Sequence, residues 1–110
     1  MRPPAIGRPQ GDTDVTGIYR SAHGGALQLR TGGRFLLVAG SVGAMDGHFT
    51  LLDGRFEVRS DGCVDPGRYD LRVTGEQEPG KAVLVFASLG DDCSDRSHLL
   101  TGERWVYANS

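Results

Sequence analysis

Several residue types are nearly missing from this chain. Lys81 is the only lysine beside eleven arginines, Asn109 the only asparagine, and Ile6 and Ile18 the only isoleucines. Those three residue types come from AT-rich codons, whereas the abundant Arg, Gly, Ala, Asp and Val come from GC-rich ones. The bias points to a high-GC bacterial source. No run approaches the ~20 apolar residues of a membrane span, and no segment of useful length carries helix-period patterning. The formal net charge is only -2, so composition leaves no electrostatic footprint of a nucleic-acid partner. The first residues, Met1-Arg-Pro-Pro-Ala-Ile-Gly-Arg-Pro-Gln10, lack the apolar stretch of a secretory signal. The expected compartment is the cytoplasm, or the exterior if a leader was removed before numbering.

The motifs of cofactor chemistry are missing too. No Gly-x-Gly-x-x-Gly or phosphate loop joins a strand to a helix, and no Gly-x-Ser-x-Gly elbow occurs. The acidic stretch Asp91, Asp92 and Asp95 has Arg96 where a calcium loop needs glycine and Gly102 where it needs glutamate. It reads as a solvated turn. His23, His48, His98, Cys63 and Cys93 form no close-spaced ligand pair. The expectation is therefore no metal and no cofactor.

What is present is alternation with period two, broken by turn signals. The 110 residues make one domain over 15–110, after a Pro/Gly-rich segment, 1–14, that reads as a disordered tail. Strands are expected near 15–20, 24–30, 33–39, 46–52, 54–60, 67–74, 81–88 and 101–108. Asp53-Gly54 is a tight-hairpin signal. Thr31-Gly32-Gly33 and Glu78-Pro79-Gly80 mark two further turns. Gaps this short rule out parallel crossovers, so sequential strands must pair antiparallel as a meander.

Four of these strands repeat one unit: Gly33-Arg-Phe-Leu-Leu37, Gly47-His-Phe-Thr-Leu51, Gly54-Arg-Phe-Glu-Val58 and Gly67-Arg-Tyr-Asp-Leu71. A turn glycine is followed by a basic residue, an aromatic, any residue and an aliphatic. On a strand the aromatic and the aliphatic share one face. That face holds Phe35, Leu37, Phe49, Leu51, Phe56, Val58, Tyr69, Leu71 and Val73. The other holds Arg34, His48, Thr50, Arg55, Glu57, Arg59, Arg68, Asp70 and Arg72. The aromatics thus point away from the arginines, which argues against a nucleic-acid surface, where stacking rings and basic groups must stand together. Closing roughly eight such strands into an all-β, up-and-down barrel removes their polar edges and leaves room for side chains or one small ligand.

Thr16-Gly17-Ile18-Tyr19 resembles the Gly-x-Trp opening strand of lipocalin-like, or calycin, barrels, with tyrosine for tryptophan. Arg104-Trp105-Val106-Tyr107 is similar to their closing strand. Cys63-x3-Gly67-x-Tyr69 and Asp92-Cys93-x2-Arg96-x3-Leu100-x4-Trp105 look like a pattern of small bacterial lipocalin-like domains. The resemblance spans 15–108 and implies an arginine, Arg104 or Arg96, over Tyr19 at a closed barrel end. The two cysteines leave two states open: Cys63 and Cys93 bridged, or free thiols in a reducing compartment.

An interior lined by Phe35, Leu37, Phe49, Leu51, Phe56, Val58, Leu71, Phe86 and Trp105 would take a hydrophobic small molecule. Two functions follow. The favoured one is a cofactor-free cyclase or isomerase of a polyketide-like intermediate in natural-product biosynthesis, with the Tyr19 and Tyr69 hydroxyls polarising a carbonyl. The other is a non-catalytic lipocalin-like binder: a hydrophobic-ligand carrier, or a protease inhibitor that inserts its N-terminal tail. A homodimer is an open arrangement for either.

Overall fold

The computed structural model describes residues 4–40, 43–75 and 81–109. Eight antiparallel strands follow in chain order and close into a barrel. They are β1 (Gly17–Arg20), β2 (Ala26–Arg30), β3 (Arg34–Ala39), β4 (Gly43–Leu52), β5 (Arg55–Ser60), β6 (Gly67–Thr74), β7 (Val83–Gly90) and β8 (Trp105–Asn109). Each strand pairs with the next, and β8 returns to β1 through Arg20↔Val106 and Tyr19↔Tyr107. The expected meander and its closure are both present. The Glu78-Pro79-Gly80 turn lies outside the described residues.

Local chemistry explains the hairpins. At the β4–β5 turn Asp53 and Gly54 both have positive φ, 50° and 79°, the mirror-image geometry that matches strand twist. It sets Leu52 opposite Arg55 and Leu51 opposite Phe56. The aromatics of the repeat then meet inside: Phe56 stacks on Phe49 at 5.1 Å and meets Phe86 edge-on at 5.1 Å. Phe35 and Tyr69 flank the same ring. Each such pair is worth roughly 0.5–1.5 kcal/mol beyond burial. Outside, two of the arginines find carboxylates: Arg68 pairs with Glu57 at 3.0 Å and Arg72 with Asp70 at 3.1 Å.

Two elements differ from expectation. A helix, α1 (Ser94–Gly102), stands between β7 and β8, where the sequence reading placed a solvated turn and the start of the last strand. Only Arg96 and Leu100 of this helix are buried. They are four residues apart and so share one face, but a single apolar residue on that face gives no periodic signal. The helix packs along β7, which pairs with β8 only at Val83↔Val106 and Leu84↔Trp105.

The segment before β1, read as a tail, has backbone partners from Gly7 onward. β5 pairs with β6 only as far as Arg55↔Asp70, which leaves the rest of the β6 edge uncovered. Gly7 and Val73 fill it by exchanging N–H···O bonds of 2.8 Å each. The carbonyls of Pro9 and Gln10 accept from Gly54 and Asp53. A Pro-rich extended segment serves here because the β6 edge needs backbone groups rather than apolar side chains. Removing residues 4–10 should lower the urea midpoint and speed amide exchange at Val73. Unchanged exchange at Val73 would show that the segment does not protect that edge.

Candidate functional site

Two features concentrate the chemistry. The first is a buried polar cluster where the loop after β5, strand β6, the loop after β7 and helix α1 meet. β6 sends Tyr69 inward, the chain after β7 delivers Asp91, and the first turn of α1 points Arg96 back into the barrel. Arg96 and Asp91 are both fully buried. The guanidinium forks onto the carboxylate, with Nε 2.8 Å from Oδ2 and Nη2 2.7 Å from Oδ1. Nη1 donates to Ser60 Oγ at 2.7 Å, and Nη2 also donates to the Asp65 carbonyl at 3.0 Å. Asp91 further accepts the Cys93 N–H at 2.9 Å and the Tyr69 hydroxyl. Gly67 makes the room: a Cβ there would stand 2.6 Å from Asp91 Cγ and 3.0 Å from Arg96 Nη2. Its role is close approach.

A disulfide between Cys63 and Cys93, Cα atoms 5.6 Å apart, ties two of these loops together. The sequence left its state open, and the fold brings the pair within bonding reach. The sequence reading takes Asp91 with Asp92 and Asp95 as a solvated turn and does not single out Ser60; the structure instead buries the Asp91 side chain. Asp91 sits in an acidic run whose neighbours Asp92 and Asp95 are exposed, so no local signal separates it from them. Arg96 stands with Tyr69 rather than over Tyr19, whose ring meets Tyr107 edge-on at 5.7 Å.

Burial alone would raise the Asp91 carboxyl. The hydrogen bonds from Arg96, Tyr69 and the Cys93 N–H outweigh it and hold the group below the ordinary aspartate value. For Tyr69, burial and then the bond to Asp91 push the phenol well above its ordinary 10.0. For Tyr19, burial and then the nearby Tyr107 do the same. Its hydroxyl donates to the Val15 carbonyl at 2.7 Å. A phenol whose pKa is raised by folding contributes stability below pH 10 that is lost as pH rises past it. Urea midpoints should therefore fall steeply above pH 10, and Tyr19→Phe should flatten that fall. An equally steep fall in the Tyr19→Phe variant would show that this phenol does not drive it.

The residues expected to line a ligand cavity, Phe35, Leu37, Phe49, Leu51, Phe56, Val58, Leu71, Phe86 and Trp105, all join one core cluster with Tyr19 and Tyr69. None is more than 7 % exposed. Among the described residues, Trp105 Nε1 is the one buried side-chain polar atom without a hydrogen-bond partner.

The second feature is an open groove of about 730 Å³ on the barrel wall, beside the β1–β2 turn and the end of α1. Val106 and Ala108 give it apolar surface, Val83 beside them is fully buried, and Arg20, Lys81 and Arg104 give it charge. At one end Glu103 holds His23 Nδ1 at 2.8 Å. The expected arginine of the closing strand, Arg104, is exposed and belongs to this groove.

Compared with known proteins, the chain matches no family model, and neither a curated protein nor a solved structure matches it significantly.

Proposed function

We propose that this protein is a non-catalytic, lipocalin-like binding domain whose outer groove holds a small molecule with an apolar body. The observation that carries this reading is the groove itself: an open concavity of about 730 Å³ with apolar strand residues in its wall and charged groups at its rim, the usual composition of a ligand site. Enzymatic use of Tyr19 and Tyr69 finds less support. Both hydroxyls already donate to acceptors within the fold, and both rings are fully buried. A general acid or electrophile needs a hydroxyl within hydrogen-bond reach of substrate.

The test is native mass spectrometry of protein purified from its source cells. The expected spectrum carries one small-molecule adduct per chain, lost in Val106→Asp. A spectrum of bare chain only would overturn the reading.

A second reading keeps the barrel interior as the site, and Trp105 favours it. A buried N–H without a partner costs about 1–3 kcal/mol, and a ligand carbonyl beside Nε1 would remove that cost. This reading requires the core side chains to move apart. It expects the host-derived ligand to shift the indole N–H proton strongly downfield, and an unmoved indole resonance would sink it.

A further inference from the structure

We infer that the groove takes a single-chain amphipathic anion, its carboxylate or phosphate head against Arg20, Lys81 and Arg104 and its apolar body over Val106 and Ala108. The inference rests on the binding reading above and names the ligand's class.

The strand register builds this arrangement. Arg20, Val106 and Val83 lie side by side on β1, β8 and β7, through the pairs Arg20↔Val106 and Val83↔Val106. Alternate residues share a face, so Arg104 and Ala108 join Val106 on β8, and Lys81 stands two residues before Val83. The three cations thus rise from three different chain segments around an apolar centre. None of them makes an ion pair or side-chain hydrogen bond with the described residues.

Charge balance sharpens the point. The chain as a whole is slightly acidic. On the barrel wall Arg68 and Arg72 have carboxylate partners, while Arg34, Arg55 and Arg59 have none among the described residues, and only Arg20, Lys81 and Arg104 gather around one groove. Among the described residues that line the groove the only acid is Glu103, and His23 Nδ1 lies 2.8 Å from its carboxylate. Three cations without an ion-pair partner among the described residues, around the apolar surface of Val106 and Ala108, make a site for one anionic head joined to an apolar body. A neutral ligand would leave the cations unused, and a cationic one would be repelled.

The probes are decanoate, decanol and decyltrimethylammonium, followed by calorimetry and by fluorescence of Trp105, the neighbour of both Arg104 and Val106. Decanoate should bind one per chain, more weakly as salt rises, and decyltrimethylammonium should not compete. Arg20→Glu and Arg104→Glu should each weaken decanoate by about tenfold or more. Both residues are exposed, and an unchanged circular dichroism spectrum checks that the variants fold. No decanoate binding, equal binding of the cationic probe, or an affinity indifferent to both reversals would overturn the inference. A host-derived adduct that survives Arg20→Glu/Arg104→Glu would also overturn it while leaving the binding reading standing. Absence of any adduct overturns the binding reading itself.

Discussion

Reducing the Cys63–Cys93 bond is expected to remove about 3–4 kcal/mol of folding stability, the chain-entropy value for a loop of this length. The bridge spans a sequence separation of 30. Small domains have only about 5–15 kcal/mol in total, so the loss is a large share. The bond joins the loop after β5 to the residue that precedes α1, the two segments whose groups surround Arg96. Without it, the Asp65 carbonyl and the Asp91 carboxylate would be held near Arg96 by hydrogen bonds alone. Urea unfolding with and without a phosphine reductant measures the effect, and Cys63→Ser/Cys93→Ser should match the reduced protein. Coincident unfolding curves for oxidised and reduced protein would refute it.

Breaking the buried pair should cost as much or more. Arg96→Met leaves the Asp91 carboxylate buried without its main partner, and Asp91→Asn leaves the guanidinium in the same position. Removing one member of a buried pair costs about 3–5 kcal/mol, because the other charge stays desolvated. The double variant Arg96→Met/Asp91→Leu removes both charges and should be far less damaged than the sum of the singles, a coupling that a double-mutant cycle reads directly. The pair also sets an acid limb. Folding holds the Asp91 carboxyl below its ordinary 3.8, so its contribution is present above that value and disappears as pH falls through the lower, folded-state one. Urea midpoints between about pH 2 and 6 should fall toward the acid side in the native protein and less in Asp91→Asn. Equal acid sensitivity in both would remove Asp91 from the explanation.

The barrel was legible in the sequence because its signal repeats. The glycine–basic–aromatic–aliphatic unit occurs four times, and each copy states which face is apolar, so Phe35, Phe49, Phe56 and Tyr69 could be placed inside from spacing alone. The Asp53-Gly54 turn was legible because few residue pairs adopt positive φ together. Helix α1 was not, since its polar residues and the lone buried Leu100 carry no stripe. The N-terminal segment was not, since its bonds to Val73 and Gly54 run through backbone groups that every residue shares.

The candidate sites divide the same way. The nine apolar residues expected to line a cavity do come together, but as a core in which they touch one another. The two tyrosines lie on β1 and β6; the Tyr19 hydroxyl bonds locally, to the Val15 carbonyl, while what the Tyr69 hydroxyl meets depends on a group far away in the chain. Tyr69 meets Asp91, 22 positions on, and Arg96 reaches Ser60, 36 positions back. Strand spacing is a local property, so the sequence by itself determined the strands, their inner face and the antiparallel order. Only the tertiary structure decided which carboxylate of the acidic run is buried, that the two cysteines meet, and that Arg20, Lys81 and Arg104 surround the apolar surface of Val106 and Ala108. The first two depend on how the loop after β5, strand β6 and helix α1 pack together, and the third on barrel closure, which brings β8 back to β1 and sets side by side residues that the chain keeps far apart.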